Sequence, residues 1–253
     1  MKRIAVFLFL IFFVIGILFL SRTAQNFEVK FRIEKIVLEQ NEIVPTSEIL
    51  NFARINSEKK LEELTPEMVL DRIEKHPYIK SAEGSFLDSV TFSIRVKEVE
   101  PFALIFGTQV KSCLTSDGKI LPFNPVIKIY DLPIITGIEL ERNNQLNTVN
   151  SIPHLTKVFE TLHSLRAIDF ALFSSISELQ IDEKNKFYGY LSKPQAKIIF
   201  DKSFDFKRGI QLSEFWRQII LNQNSIRYEY IDLRFKDQIV VKEKQINQLT
   251  ELI

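Results

Sequence analysis

Residues 90–97 read Val90-Thr91-Phe92-Ser93-Ile94-Arg95-Val96-Lys97. Val90, Phe92, Ile94 and Val96 fall on one side and Thr91, Ser93, Arg95 and Lys97 on the other. A two-residue period of this kind predicts a strand with one apolar and one polar face. Working upstream, Tyr78 to Phe86 predicts a second strand. Thr65-Pro66-Glu67 has the form of a helix start: an N-cap hydroxyl, a proline at the first helical position and an acid in the positive first turn. That helix buries Val69, Leu70 and Ile73 and stops near His76, ahead of Pro77. Thr46 caps a shorter helix carrying Ile49, Leu50 and Ala53. Val29 to Glu39 is rich in β-branched and apolar residues, and Asn41-Glu42 and Pro45 end it. The order over residues 29–98 is therefore β-α-α-β-β, and a compact domain is expected at 29–99.

Further upstream, Lys2-Arg3 is followed by Ile4 to Leu20 with no charge and one glycine. A run of about 17 apolar residues at about 1.5 Å each covers roughly 25 Å, a little short of a ~30 Å hydrocarbon core. Ser21 and the flanking side chains make up the difference by snorkelling. A cleavable signal peptide has an apolar core of about 7–15 residues, then small residues at the cleavage site. Here the core is longer, and Leu20-Ser21-Arg22-Thr23-Ala24 gives no A-x-A-like pattern. The expectation is an uncleaved transmembrane helix over 4–21, a cytoplasmic tail of 1–3 and a juxtamembrane linker of 22–28. Lys2 and Arg3 keep the N-terminus in the cytoplasm, although Arg22, Lys30 and Arg32 pull the other way. Everything from about Thr23 then lies outside it.

Composition agrees. Of 33 Lys+Arg and 32 Asp+Glu, residues 1–22 hold Lys2, Arg3 and Arg22 and no acids. The nearly neutral remainder carries no electrostatic footprint for nucleic acid. Cys113 is the one cysteine, so no intramolecular disulfide forms and the fold rests on its cores. Phenylalanine is frequent at 22 residues and glycine scarce at 7. Scarce glycine argues against a phosphate-cradling loop, and the chain has no G-x-G-x-x-G or Walker pattern.

Downstream, Glu98 to Phe102 marks a change of regime. Short apolar runs from Pro101 to about Gly137 are broken by Asp117-Gly118, Pro122, Pro125 and Pro133. Asp-Gly between Leu114 and Ile120 signals a hairpin turn. Ser151 to Arg166 predicts a helix, with Leu155, Val158, Phe159 and Leu162 at i, i+3, i+4 and i+7. Strands follow near 177–182, 187–191 and 196–200. A helix from Arg208 to Leu221 carries Leu212, Phe215, Trp216, Ile219 and Ile220 on one stripe. Two last β runs, Tyr228 to Phe235 and Gln238 to Lys242, are separated by Lys236-Asp237. The fold class is α+β: one transmembrane helix, the β-α-α-β-β domain, a mixed β-sheet domain with two packed helices at 100–243, and a tail at 244–253.

Residues suited to catalysis do not cluster in the sequence. His76 sits at a helix end, where capping or solvation is the ordinary role. His154 and His163 are nine apart, not an i, i+4 metal pair. Cys113 has no neighbouring histidine and reads as packing. Asp117 is turn chemistry and Trp216 core. No cofactor, metal ligand or catalytic residue is expected.

In order, Ile36-Val37-Leu38-Glu39-Gln40-Asn41, Pro77-Tyr78-Ile79-Lys80-Ser81-Ala82 and Ile94-Arg95-Val96-Lys97-Glu98-Val99-Glu100-Pro101-Phe102-Ala103 are followed by Leu114-Thr115-Ser116-Asp117-Gly118 and Leu132-Pro133-Ile134-Ile135-Thr136-Gly137. Tyr230-Ile231-Asp232-Leu233-Arg234-Phe235 and Gln238-Ile239-Val240-Val241 complete the series. With the anchor, this series resembles the FtsQ/DivIB family of bacterial cell-division proteins, and the first domain is similar to a POTRA domain. Gln40 stands where the family usually has glycine, and Val99 where it has arginine. An arginine and a proline common between the second and third POTRA strands are missing from Gly84 to Ser89, and the cytoplasmic tail is short.

The resemblance implies a non-enzymatic, single-pass divisome scaffold in the bacterial inner membrane at the division septum. It implies binding of FtsB- and FtsL-type partners outside the cytoplasm in support of septal peptidoglycan synthesis. Partner contacts are expected from Arg234, Phe235, Gln238, Ile239, Val240, Val241 and Lys242, because the family adds its partner along the C-terminal edge strand. The core face of that strand is either Ile239/Val241 or Val240/Lys242. Phe235→Ala or a proline at Val240 is expected to abolish binding while the fold survives. The POTRA unit implies further interactions with division proteins. The alternatives are a POTRA-containing envelope assembly or secretion component and a membrane-anchored envelope hydrolase. The first needs tandem POTRA units or a barrel, and the second needs a pair of facing carboxylates or an activated nucleophile.

Overall fold

The computed structural model describes residues 12–18, 31–55, 64–128, 131–140, 148–152, 154–201, 204–221 and 228–244. Residues 12–18 are helical, with apolar side chains such as Phe12 and Leu18 exposed. The rest of the expected transmembrane span, the 1–3 tail, the 22–28 linker and all of the C-terminal tail but Lys244 lie outside the described residues. Among the described residues no helix is long and apolar enough to cross a membrane. The chain divides into two compact units, one of Met1–Asn41, Ile49–His76 and Ser81–Val96, the other of Glu42–Glu48, Pro77–Lys80 and Lys97–Ile253.

The first elements are β1 (Lys35–Glu39), α1 (Thr46–Phe52), α2 (Pro66–Glu74), β2 (Ile79–Phe86) and β3 (Thr91–Glu98). They give a three-stranded sheet in the order β1-β3-β2, with β1 parallel to β3 from Lys35↔Thr91 to Glu39↔Arg95. Thr65 caps α2 as its sequence requires: its hydroxyl accepts from the Met68 N–H at 3.3 Å. Phe92, Ile94 and Val96 are buried, and Arg95 and Lys97 are exposed. Ser93 departs from the alternation. It is buried, and its hydroxyl donates to Glu39 Oε1 at 2.9 Å. Gln40 adopts φ 63°.

The second sheet has nine strands: β4 (Pro101–Phe106), β5 (Lys111–Thr115), β6 (Ile120–Pro122), β7 (Ile134–Thr136), β8 (Ile176–Ile181), β9 (Phe187–Leu191), β10 (Ala196–Ile199), β11 (Tyr228–Asp232) and β12 (Val240–Glu243). Their spatial order is β12-β11-β10-β9-β8-β7-β4-β5-β6. The Asp117-Gly118 turn joins β5 to β6 as expected, with Gly118 at φ 81°. β7 lies parallel to both β4 and β8. Gly137 ends it at φ 75°, where a Cβ would stand 1.8 Å from the Ile181 carbonyl oxygen.

Among the described residues three helices pack with this sheet, and the expectation of two is corrected. α3 (Leu155–Ile168) and α5 (Phe206–Leu221) are joined by α4 (Phe170–Ser175). Six residues are too few to display a 3.6-residue period, so α4 is set by its cap. The Asp169 carboxylate accepts from the Ala171 and Leu172 N–H groups at 3.0 and 3.1 Å. It also accepts from Ser213 Oγ at 2.8 Å and Arg217 Nε at 2.7 Å, which ties α4 to α5. Leu155, Val158, Leu162, Leu165, Leu172, Leu212 and Trp216 share one core with Leu179, Leu191, Ile198 and Ile231 of the sheet. The last strands are shorter than expected: β11 stops at Asp232 and β12 starts at Val240.

Candidate interaction site

Among the described residues β12 ends the nine-stranded sheet and pairs with β11 alone, through Ile231↔Val241 and Asp232↔Val240. Ile239 and Val241 pack against the core. This selects Ile239/Val241 as the inner pair and places Val240 and Lys242 on the opposite face. Main-chain polarity along the strand follows from one hydrogen bond. Leu233 N–H donates to the Ile199 carbonyl of β10 at 2.9 Å. Main-chain groups alternate sides along a strand, so Ile231 and Leu233 face β10 while Tyr230 and Asp232 face β12. Asp232↔Val240 is therefore a hydrogen-bonded pair. The groups that β12 turns to its open side belong to Val241 and Glu243. This corrects the expected test, because a proline at Val240 removes a donor to β11 rather than one offered to a partner.

Arg234 is neither loosely solvated nor free. Its Nε donates to Asp232 Oδ1 at 2.9 Å and its Nη2 to Oδ2 at 2.6 Å, while its own N–H donates to Oδ1 at 3.0 Å. The Asp232 side chain is 4% exposed and that of Arg234 49%. The guanidinium bonds hold the Asp232 carboxyl below its ordinary range against the opposing effect of burial. A fork gripped on one side by a buried carboxylate presents a fixed cation on the other.

Phe235 does not pack in the core. It is 45% exposed on the turn between β11 and β12. Two residues of α5 that the sequence did not single out hold that turn. Arg208 Nη1 donates to the carbonyl oxygens of Leu233 and, at 3.0 Å, of Phe235. Lys207 Nζ meets Asp237 Oδ1 at 2.7 Å. Gln238 is exposed beside them, and Lys242 pairs with Glu229 at 2.8 Å. The seven expected contact residues thus lie on one turn and one edge.

The sheet face away from the helices continues from this edge. Glu178, Tyr190, Lys197, Tyr230 and Lys242 stand in one row across it, and Gln180, Tyr188, Ile199, Asp232 and Val240 in the next. Lys197 Nζ lies 3.8 Å from the centre of the Tyr188 ring. These tyrosines carry no sequence signal of binding, because half-buried Tyr is also ordinary strand composition.

The residues weighed for chemistry are dispersed. His76 is buried, 3% exposed, and stacks edge-on to Phe52, which corrects its reading as a solvated residue. The His163 ring nitrogen lies 3.0 Å from the Ser116 carbonyl, and His154 heads α3 at φ 65°. Burial pushes the Cys113 thiol up to about 11. Among the described residues no three His, Cys, Asp or Glu side chains group as a metal site. A cavity of about 590 Å³ includes Glu139, Asp182 and Glu183. Asp182 there accepts the Lys184 and Lys186 N–H groups of its own turn, and the Lys186 bond leads in lowering its pKa. A general acid needs the opposite shift.

Comparison with known proteins agrees with this architecture. Residues 31–98 match the POTRA domain, FtsQ-type. Residues 100–242 match the family described as FtsQ/DivIB, C-terminal related. A cell division protein FtsQ of Rhodothermus marinus is 27% identical over 225 residues, covering 84% of this chain and 80% of that protein. One of Salinibacter ruber is 24% identical over 241 residues, covering 92% and 91%. One of Geotalea daltonii is 27% identical over 219 residues, covering 84% and 76%. With its POTRA strands, its nine-stranded sheet and its C-terminal match over more than half its length, the chain belongs to the FtsQ/DivIB family of cell-division proteins.

Proposed function

We propose that this chain is a single-pass, inner-membrane scaffold of the divisome that does no chemistry itself. Its bulk stands outside the cytoplasm at the septum. There it captures FtsB- and FtsL-type partners and supports septal peptidoglycan synthesis, while the POTRA unit offers a further interaction surface. The observation that carries this reading is the outer side of β12, which no strand among the described residues pairs, beside the clamped Arg234 and the exposed Phe235. An extended partner segment adds along β12 and takes its main-chain hydrogen bonds from Val241 and Glu243. Phe235 offers a rigid aromatic anchor, and Arg234 selects a carboxylate or carbonyl on the partner. Apolar residues 4–20 anchor the chain.

The test is co-purification of the full chain with its host's FtsB- and FtsL-type proteins. Val241→Pro removes an outward donor at a position where an edge strand tolerates proline. It and Phe235→Ala are each expected to weaken capture about tenfold or more, which is about 1.4 kcal/mol, with circular dichroism unchanged. Undiminished capture by both folded variants would refute the edge.

A further inference from the structure

We infer that the corner of the POTRA unit formed by Phe31, Phe86 and Leu87 is a lipid-contacting foot that seats the unit on the bilayer surface; this rests on the anchor reading above. The corner is built where the incoming chain meets the β2–β3 hairpin. Arg32 N–H donates to the Ser89 carbonyl at 3.0 Å, and Glu34 N–H to that of Val90 at 2.9 Å. Leu87 N–H donates to Thr91 O at 2.9 Å, and Asp88 Oδ1 accepts from the Val90 and Thr91 N–H groups at 2.8 and 2.7 Å. On this rigid corner Leu87 is 62% exposed and Phe31 57%. The Phe31 ring lies 4.8 Å from that of Phe86, which lies 5.0 Å from buried Phe92. The apolar tip is thus held from beneath by the core and cannot fold inward.

Chain length decides the occupant. Residues 21–30 are all that separate Phe31 from the end of the apolar run at Leu20. Ten residues at about 3.4 Å each reach roughly 34 Å. A tether this short holds the corner at about millimolar effective concentration next to the bilayer, so a contact too weak to bind free lipid is still populated. Aromatic and leucine side chains suit the interfacial zone. Arg32 and Lys35 beside them suit anionic headgroups. Glu34 is exposed there as well, and the Asp88 carboxylate is engaged by its two N–H donors.

The full chain is reconstituted in vesicles of phosphatidylethanolamine and phosphatidylglycerol brominated on the acyl chains near the headgroup. Leu87→Trp and Phe31→Trp report on the corner. Phe52→Trp is the control, because Phe52 is also apolar and 45% exposed but packs on His76, which lies at the opposite end of β2 from the hairpin. Trp216 supplies the same buried background in every variant. The expected result is about twofold or greater quenching at both corner positions, with the control behaving as the parent. Corner emission equal to the control, whether both are quenched or neither, overturns the foot. An alkaline carbonate wash reads the anchor separately. A chain stripped from the vesicles overturns the anchor and the foot with it, whereas a retained chain with an unquenched corner overturns the foot alone.

Discussion

The two ends of the nine-stranded sheet are finished in opposite ways. At one end, β6 is three residues long, Ile120 and Leu121 are buried, and Pro122 contributes no N–H. The chain at Thr148 and Val149 closes over the turn that leads into it: Lys119 bridges to Thr148, and Val149 N–H donates to the Gly118 carbonyl at 2.9 Å. At the other end, β12 is four residues long, half-buried at Val240 and Val241 and exposed at Lys242 and Glu243. An unpaired edge is a hazard that proteins cover, shorten or charge. Among the described residues, one edge is buried, lacks a donor at Pro122 and is covered at its start, and the other is only shortened and charged. This difference, among the described residues, is what supports the proposal that a partner adds at β12.

The contrast is sharpest where a substitution damages the fold at one end and not at the other. Ile120→Ala empties a fully buried site and is expected to cost about 2–5 kcal/mol of unfolding free energy, read as a fall in the urea midpoint. Partner capture by the fraction that stays folded is expected to be unchanged. Impaired capture by well-folded protein would show that the two ends are coupled.

Asp232→Ala comes next, because it removes the clamp beneath the open edge. Loss of charge-assisted bonds to a buried carboxylate is expected to cost about 2 kcal/mol. The exposed Arg234 is left to water, which limits the penalty. The folded-state pKa of Asp232 is lowered, so its contribution is fully present above the ordinary aspartate value of about 3.9 and is lost as pH falls through the lowered value. Urea midpoints of parent and variant should therefore differ near pH 7 and converge in acid below about pH 4. Parallel curves across that range would remove Asp232 as the source of the difference.

These features were unequally legible in the sequence. The strand at 90–97, the Thr65 cap, the Asp117-Gly118 turn and the stripe containing Trp216 are each written in a local pattern, and each recurs in the structure. α4 and β7 were not legible, because six and three residues carry no period, and β7 is fixed by non-local parallel pairing with β4 and β8. At the edge, Ile239-Val240-Val241-Lys242 offers two possible inner pairs. The choice between them is made by Ile231 across the ladder, which a one-dimensional pattern does not contain. The Asp232-Arg234 spacing puts both side chains on one face of an extended chain, but nothing local says that Asp232 is buried. Lys207 and Arg208 lie some thirty residues before the turn they hold, and their role follows only from α5 docking beside it.

The smallest expected effect on folding tests the charge on the open edge. Lys242 and Glu229 meet at 2.8 Å, but their side chains are 56% and 50% exposed. An exposed ion pair of this kind is screened by water and salt, so Lys242→Val should leave the urea midpoint close to that of the parent. Its larger consequence lies outside the folded monomer. Lys242 is the charge directly beside Val241 on the edge, and its replacement by a β-branched apolar residue extends an exposed strand able to pair with another copy. Sedimentation velocity should then detect concentration-dependent self-association absent from the parent. Adding Val241→Pro to the same chain should suppress it, because the pairing needs the outward donor. At β6 the buried Leu121 and the missing Pro122 N–H leave no equivalent site. If Lys242→Val remained monomeric, β12 would be kept from pairing by something other than the Lys242 charge, and that part of the contrast between the two ends would fail.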